Sequence, residues 1–150
     1  MILMGRASRD KAAWDRRVQL AEALNAKVLT DLKTGAAFPT DHPLHLAPPG
    51  VFLSGDTGAL LKQADVVLSL DWVDLAGTLK QGWGNAPVGC KVIQVSVDQY
   101  IHNGWSMDHQ GLPPADIYLA CGIEPVVEEL LARLDVKAVS DYTPAEWAKP

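Results

Sequence analysis

The sequence predicts an α/β domain in which a parallel sheet is buried between layers of helices on both faces. Three observations point there. Short apolar runs recur along the chain and close on Gly or Asp: Met1 to Arg6, Lys27 to Asp31, Ala64 to Asp71, Lys91 to Asp98 and Ala115 to Gly122. They are near-continuous rather than alternating, as expected of strands covered on both sides. An amphipathic segment separates the first two, which makes a strand-helix-strand unit with a right-handed crossover.

The first strand leads into Gly5-Arg6-Ala7-Ser8 and then a helix from Asp10 to Asn25. Trp14, Val18, Ala21 and Leu24 recur at helical spacing on its apolar side, with Asp15, Arg16, Arg17 and Glu22 on the other. Ser8 or Asp10 can cap its start, and Asn25 suits its end. From Lys33 to Gly50 the chain turns to Gly, Pro, His and Thr, a long connection that implies a covering or functional role. Val51 to Gly55 reads as a further short strand and Thr57 to Gln63 as a short helix capped by Asp56. The stretches from Asp71 to Gly89 and from Gln99 to Pro114 read as Gly- and Trp-containing loops. The last helix runs from Glu124 or Pro125 to Leu134, with Val126, Val127, Leu130, Leu131 and Leu134 as its stripe.

At 150 residues the chain suits one well-cored domain, expected over residues 1–134, with 135–150 as a polar linker or tail. A core strand starting at Met1 and that tail give the expectation of a piece cut from a longer polypeptide. A net charge of -5 supplies no basic field for nucleic acid. No apolar stretch approaches the roughly 20 residues of a membrane span, so a cytoplasmic protein is expected. Cys90 and Cys121 border strands and read as buried, inert thiols, since neither has a zinc-spaced partner.

The order of these features carries a resemblance. Gly5-Arg6, the helix ending Leu20-Ala21-Glu22-Ala23-Leu24, Gly35 to Phe38-Pro39, Asp41-His42-Pro43, Leu60 to Leu68 and Val92 to Asp98 follow one another as in the central domain of thiamine diphosphate-dependent enzymes. The chain resembles the acetolactate synthase, benzoylformate decarboxylase and oxalyl-CoA decarboxylase group. That resemblance implies a three-layer, Rossmann-like domain with a six-stranded parallel sheet. It also implies N- and C-terminal domains that bind thiamine diphosphate and Mg2+ in a homo-oligomeric parent enzyme. This chain alone is expected to bind neither. Gly55-Asp56-Thr57-Gly58 departs from the Gly-Asp-Gly signature, and no downstream Asn follows at the required distance.

Some of these central domains hold FAD or ADP. Carried over, Gly5, Arg6 and Ser8 fall at the first strand-to-helix turn, where phosphate would sit, and Asp98 at a strand end, where a carboxylate accepts from ribose hydroxyls. Asn103 follows a few residues on. Leu70, Asp71 and Trp72 stand where flavin-binding relatives carry Gly and Arg, so FAD is not expected; ADP stays open. The bland alternative is that Gly5 turns the chain, Arg6 is solvated and Asp98 caps a turn.

Other groupings are weaker. His42 and His45 are separated by Pro43, which breaks the helix that a shared metal would need. His102, His109, Asp98 and Asp108 could form an acid/base cluster or a wet loop. Trp72, Trp83 and Trp105 in loops would make a docking face if exposed. Function therefore reads as a structural, interdomain module of a decarboxylase or carboligase, inactive alone. The alternatives are a free-standing ADP, FAD or NAD binding module and, more remotely, a hydrolase using Ser54 or Ser69.

Overall fold

The structure, a computed structural model, describes residues 1–98, 109 and 111–134. Its elements are β1 (Ile2–Met4), α1 (Lys11–Ala23), β2 (Val28–Thr30), α2 (Gly55–Leu61), β3 (Val66–Leu70), α3 (Leu75–Trp83), β4 (Lys91–Val95), β5 (Ile117–Leu119) and α4 (Ile123–Arg133). The strands form one sheet in the order β2-β1-β3-β4-β5, with every pairing parallel.

Alternation along the strands builds three layers. Ile2, Met4, Val28, Leu68, Leu70 and Val95 point to one face, where Leu20 and Ala21 of α1 and Ile123 and Val127 of α4 cover them. Leu3, Leu29, Val67 and Val92 point to the other, beneath Leu61 of α2 and Leu75 and Leu79 of α3. Burying one Leu or Val side chain of this kind contributes about 1.5–3 kcal/mol. The apolar runs of β1 to β4 are thus strands with a core on each side, whereas β5, at the edge of the sheet, has all three residues exposed although its run reads as covered.

The sheet has five strands among the described residues, where the resemblance implied six. Val51 to Gly55 does not pair. Phe52 is 67% exposed, and Ser54 ends the segment by capping α2, its hydroxyl accepting from the Thr57 N–H at 3.1 Å. Asp56 lies inside the helix that it was expected to cap. The place beside β2 is instead taken by His45 through a single parallel bridge to Val28. The Val28 N–H donates to Leu44 O and the Leu46 N–H to Val28 O, both at 2.8 Å. Pro43 and Pro48 bracket this stub, and proline has no N–H to lengthen a ladder.

Two helices also differ from expectation. The Asp71 to Gly89 stretch contains α3, whose glycines read as breakers in sequence. Asp74 caps it by accepting from the Gly77 N–H at 3.0 Å, and a Cβ at Gly77 would come within 2.3 Å of Asp74 Oδ2. Glycine here permits the cap rather than breaking the helix. In α1, Asp10 is the cap and Ser8 supports it, accepting from the Asp10 N–H at 3.0 Å. Asn25 follows the helix at φ 45°, a left-handed conformation that Asn tolerates. Arg17, assigned to the polar side, is completely buried, whereas Leu24 is exposed. Its guanidinium faces α4 and the 36–37 turn, so the buried side of α1 is rotated from the one that hydropathy predicts.

The histidines of the 33–50 connection are structural. Leu44 N–H donates to His42 Nδ1 at 3.1 Å, which leaves the Nε2 proton to donate to Glu22 Oε1 at 3.0 Å. His45 Nε2 meets Thr30 Oγ1 at 2.9 Å. Burial, the larger influence, and nearby His42 hold the His45 pKa below its usual value. The unfolded chain therefore binds the extra proton first, so stability is whole above about pH 6.5 and declines below it. Urea unfolding should show a midpoint that falls between roughly pH 7.5 and pH 5.5, and His45→Gln should flatten that fall. Parallel pH profiles for the two proteins would refute it.

Candidate functional site

With the His45 stub counted as a third strand, the spatial order is that of a dinucleotide-binding sheet, in which ligands lie beyond the carboxyl ends of the strands where chain order reverses. Here that place is between β1 and β3. It is closed by the chain itself. The Gly5 N–H donates to Leu70 O at 2.9 Å and the Arg6 N–H to Asp71 O at 3.0 Å. The two loops touch so closely that a Cβ on Gly5 would lie 2.0 Å from Asp71 O. On the far side of β1, Asp31 Oδ2 accepts from the Val73 N–H at 3.4 Å.

Arg6 and Asp98, named from sequence as ligand residues, meet each other. Arg6 Nη2 lies 2.8 Å from Asp71 Oδ1 and 2.5 Å from Asp98 Oδ2. Ser96 Oγ donates to Asp71 Oδ1 at 2.6 Å and accepts from the Asp98 N–H at 3.0 Å. The Tyr118 hydroxyl lies 2.9 Å from Ser96 O and 3.0 Å from Asp98 O, donating between them. Partial burial pulls the Arg6 pKa down, but hydrogen bonds and charge from Asp71 and Asp98 outweigh it and leave it raised. Burial, then Asp98 and Asp71, raise that of Tyr118, which stays a donor. One cation against two carboxylates leaves the edge net negative, a poor cradle for phosphate.

Ser8 is engaged as well. Its N–H donates to Glu124 Oε1 at 3.1 Å, and the same oxygen accepts from Arg17 Nη1 at 2.8 Å. The start of α1 is meanwhile covered by the Asp10 carboxylate, whose Oδ1 accepts from the Ala13 N–H at 2.9 Å. Carboxylates from the chain thus sit where a phosphate would be drawn. Asn103, His102, Trp105 and Asp108 lie outside the described residues.

Of the acid/base grouping, Asp98 pairs with Arg6 and the backbone N–H of His109 donates to Asp74 Oδ2 at 3.0 Å, while His102 and Asp108 lie outside the described residues. Trp72 is buried and donates through Nε1 to Thr78 Oγ1 at 2.7 Å, and Trp83 ends α3 half-buried, so these two rings do not meet the condition of exposure that a docking face requires. Ser69 is fully buried in β3, and the Ser54 hydroxyl is bonded to Thr57 within the cap of α2. Gly55-Asp56-Thr57-Gly58 forms the first turn of α2 and does not build a diphosphate-metal loop. Among the described residues, no group of three His, Cys, Asp or Glu is placed to hold a metal ion. Cys90 and Cys121 are half-buried free thiols. No helix among the described residues is long and apolar enough to cross a membrane.

Ser96, Tyr118 and Glu124 were missed as members of this edge, and Asp71 was read only as an acid standing where flavin-binding relatives carry a cation. For Asp71 the signal was there, since it closes an apolar run as Asp98 does. Nothing local marks Glu124, which is 116 residues from Ser8 in sequence.

These features define a Rossmann-like α/β domain whose ligand edge is occupied by its own side chains. Residues 1–106 match the family described as thiamine pyrophosphate enzyme, central domain, and the chain belongs to that family. Among solved structures it is similar to a Mycobacterium smegmatis protein provisionally described as a thiamin diphosphate-dependent enzyme. The identity is 20% and the TM-score 0.60, over 94% of this chain and 26% of that one. The chain thus spans about a quarter of that protein's length. No curated protein matches it.

Proposed function

We propose that this domain serves as the structural, interdomain part of a thiamine diphosphate-dependent decarboxylase or carboligase of the acetolactate synthase kind. In that reading the N- and C-terminal domains of a homo-oligomeric parent supply the thiamine diphosphate and Mg2+ sites. The observation that supports it is the closed switch-point crevice, with Gly5 packed on the Asp71 backbone and Arg6 held by Asp71 and Asp98. A ligand entering there would have to displace backbone hydrogen bonds and two carboxylates together.

Binding of ADP, FAD or NAD by a free-standing module is the competing reading, and it draws on the position of Arg6 and Asp98 at the carboxyl edge. Calorimetric titration of the full chain with ADP, with FAD and with thiamine diphosphate plus Mg2+ separates the two. No saturable heat is expected from any of them, nor turnover of a 2-keto acid until the outer domains are added. Saturable ADP binding at micromolar concentration would instead establish the nucleotide module.

A further inference from the structure

The Glu124 contact is built like a ligand complex. Arg17 is completely buried, and its guanidinium is held mainly by backbone carbonyls. Nε donates to Ala37 O at 3.0 Å, and Nη2 to Ser8 O at 2.8 Å and Ala36 O at 3.4 Å. That leaves Nη1 beside the Ser8 N–H, the two donors converging on Glu124 Oε1 at 2.8 and 3.1 Å. The carbonyl frame comes from the loop before α1 and the 36–37 turn, so it does not depend on α4. A buried cation paired with a backbone N–H is the chemistry that recognises an oxyanion. The fit with Glu124 is incomplete, because its Oε2 is buried with no hydrogen-bond partner among the described residues. An acceptor left in that state is a cost which a better-matched anion would not carry.

We propose that the Ser8 N–H and Arg17 form an oxyanion receptor, suited to a carboxylate or phosphate group, which Glu124 fills from within the chain as an autoinhibitory contact. The receptor is preformed, and Glu124 excludes free anions from it by its high local concentration. Withdrawing that side chain turns an internal contact into a ligand site.

The test uses the full chain carrying Glu124→Ala, titrated with sodium acetate and separately with inorganic phosphate, with chloride holding ionic strength constant. Thermal unfolding is followed by circular dichroism. Each anion should raise the Tm of the variant saturably and restore about half or more of what the substitution removed, by linkage of binding to the folded state. The unsubstituted chain should respond no more than to chloride. The Ser8 amide signal in NMR should move with the same dissociation constant. If Glu124→Ala is unfolded in chloride, acetate or phosphate should restore the native spectrum, and failure to do so overturns the proposal. So does a variant whose Tm responds to both anions only as it does to chloride, or whose Ser8 amide is unmoved. Rescue by acetate alone assigns the receptor to carboxylates; rescue by phosphate as well assigns it to both.

Discussion

Gly5→Ala should leave the chain without a cooperative fold. The added methyl would sit 2.0 Å from Asp71 O, 2.4 Å from Asp71 C and 2.6 Å from Trp72 Cα, all backbone atoms that no rotamer change can move aside. Relief requires parting β1 from the loop that follows β3, which breaks the Gly5 N–H to Leu70 O and Arg6 N–H to Asp71 O bonds. These lie at the centre of the sheet. The cost should exceed about 4 kcal/mol, against the 5–15 kcal/mol that a domain commonly has. Urea unfolding monitored by circular dichroism would show the loss. Gly55→Ala is the internal control, since a Cβ there meets nothing within 4 Å and the residue opens a helix. A Gly5→Ala protein as stable as this control would mean that the two loops are not in contact.

Arg17→Ala is the second large effect. It would leave the Glu124 carboxylate without its cation and take the buried donor from the Ala37 carbonyl, while opening a void between α1 and α4. Removing one partner of a buried pair costs about 3–5 kcal/mol, and the partial exposure of Glu124 points to about 3. For a chain of this size that is a Tm lower by roughly 10 °C. Arg17→Met fills much of the void without restoring the charge, so it should recover only part of the loss. A Tm change below about 2 °C in Arg17→Ala would show the pair to be of surface type.

The parallel sheet was legible because β1 to β4 are covered on both faces, and burial on two sides writes itself into sequence as an unbroken apolar run; β5 carries such a run although its residues are exposed. The Asp10 to Asn25 helix was legible for a similar reason, through its caps. Most of what failed had a common cause, partners distant in sequence; Gly77 is the exception, read as a breaker although the Asp74 cap that it permits lies only three residues before it. Arg17 reads as solvated until three backbone carbonyls and Glu124 surround it. Phe52 reads as a strand residue, although no edge among the described residues receives it. At the candidate site, sequence named Gly5, Arg6, Ser8, Asp98 and Asn103 as cofactor-binding residues. Asn103 lies outside the described residues; of the other four, three have hydrogen-bonding groups directed to Asp71, Ser96 and Glu124, and Gly5 is wedged against backbone. Pairings across 65 to 116 residues leave no local periodicity to read.

Asp71 carries two demands at one address. Its backbone stands at φ 55°, which turns the carbonyl toward the Arg6 N–H, while its carboxylate receives both the Arg6 guanidinium and the Ser96 hydroxyl. Glycine would satisfy the bend and forfeit the charge; glutamate would supply the charge and resist the bend. Asparagine comes nearest, with half the acceptors. Substitution at this position is therefore confined to a narrow corridor, because each alternative forfeits the bend, the charge or both.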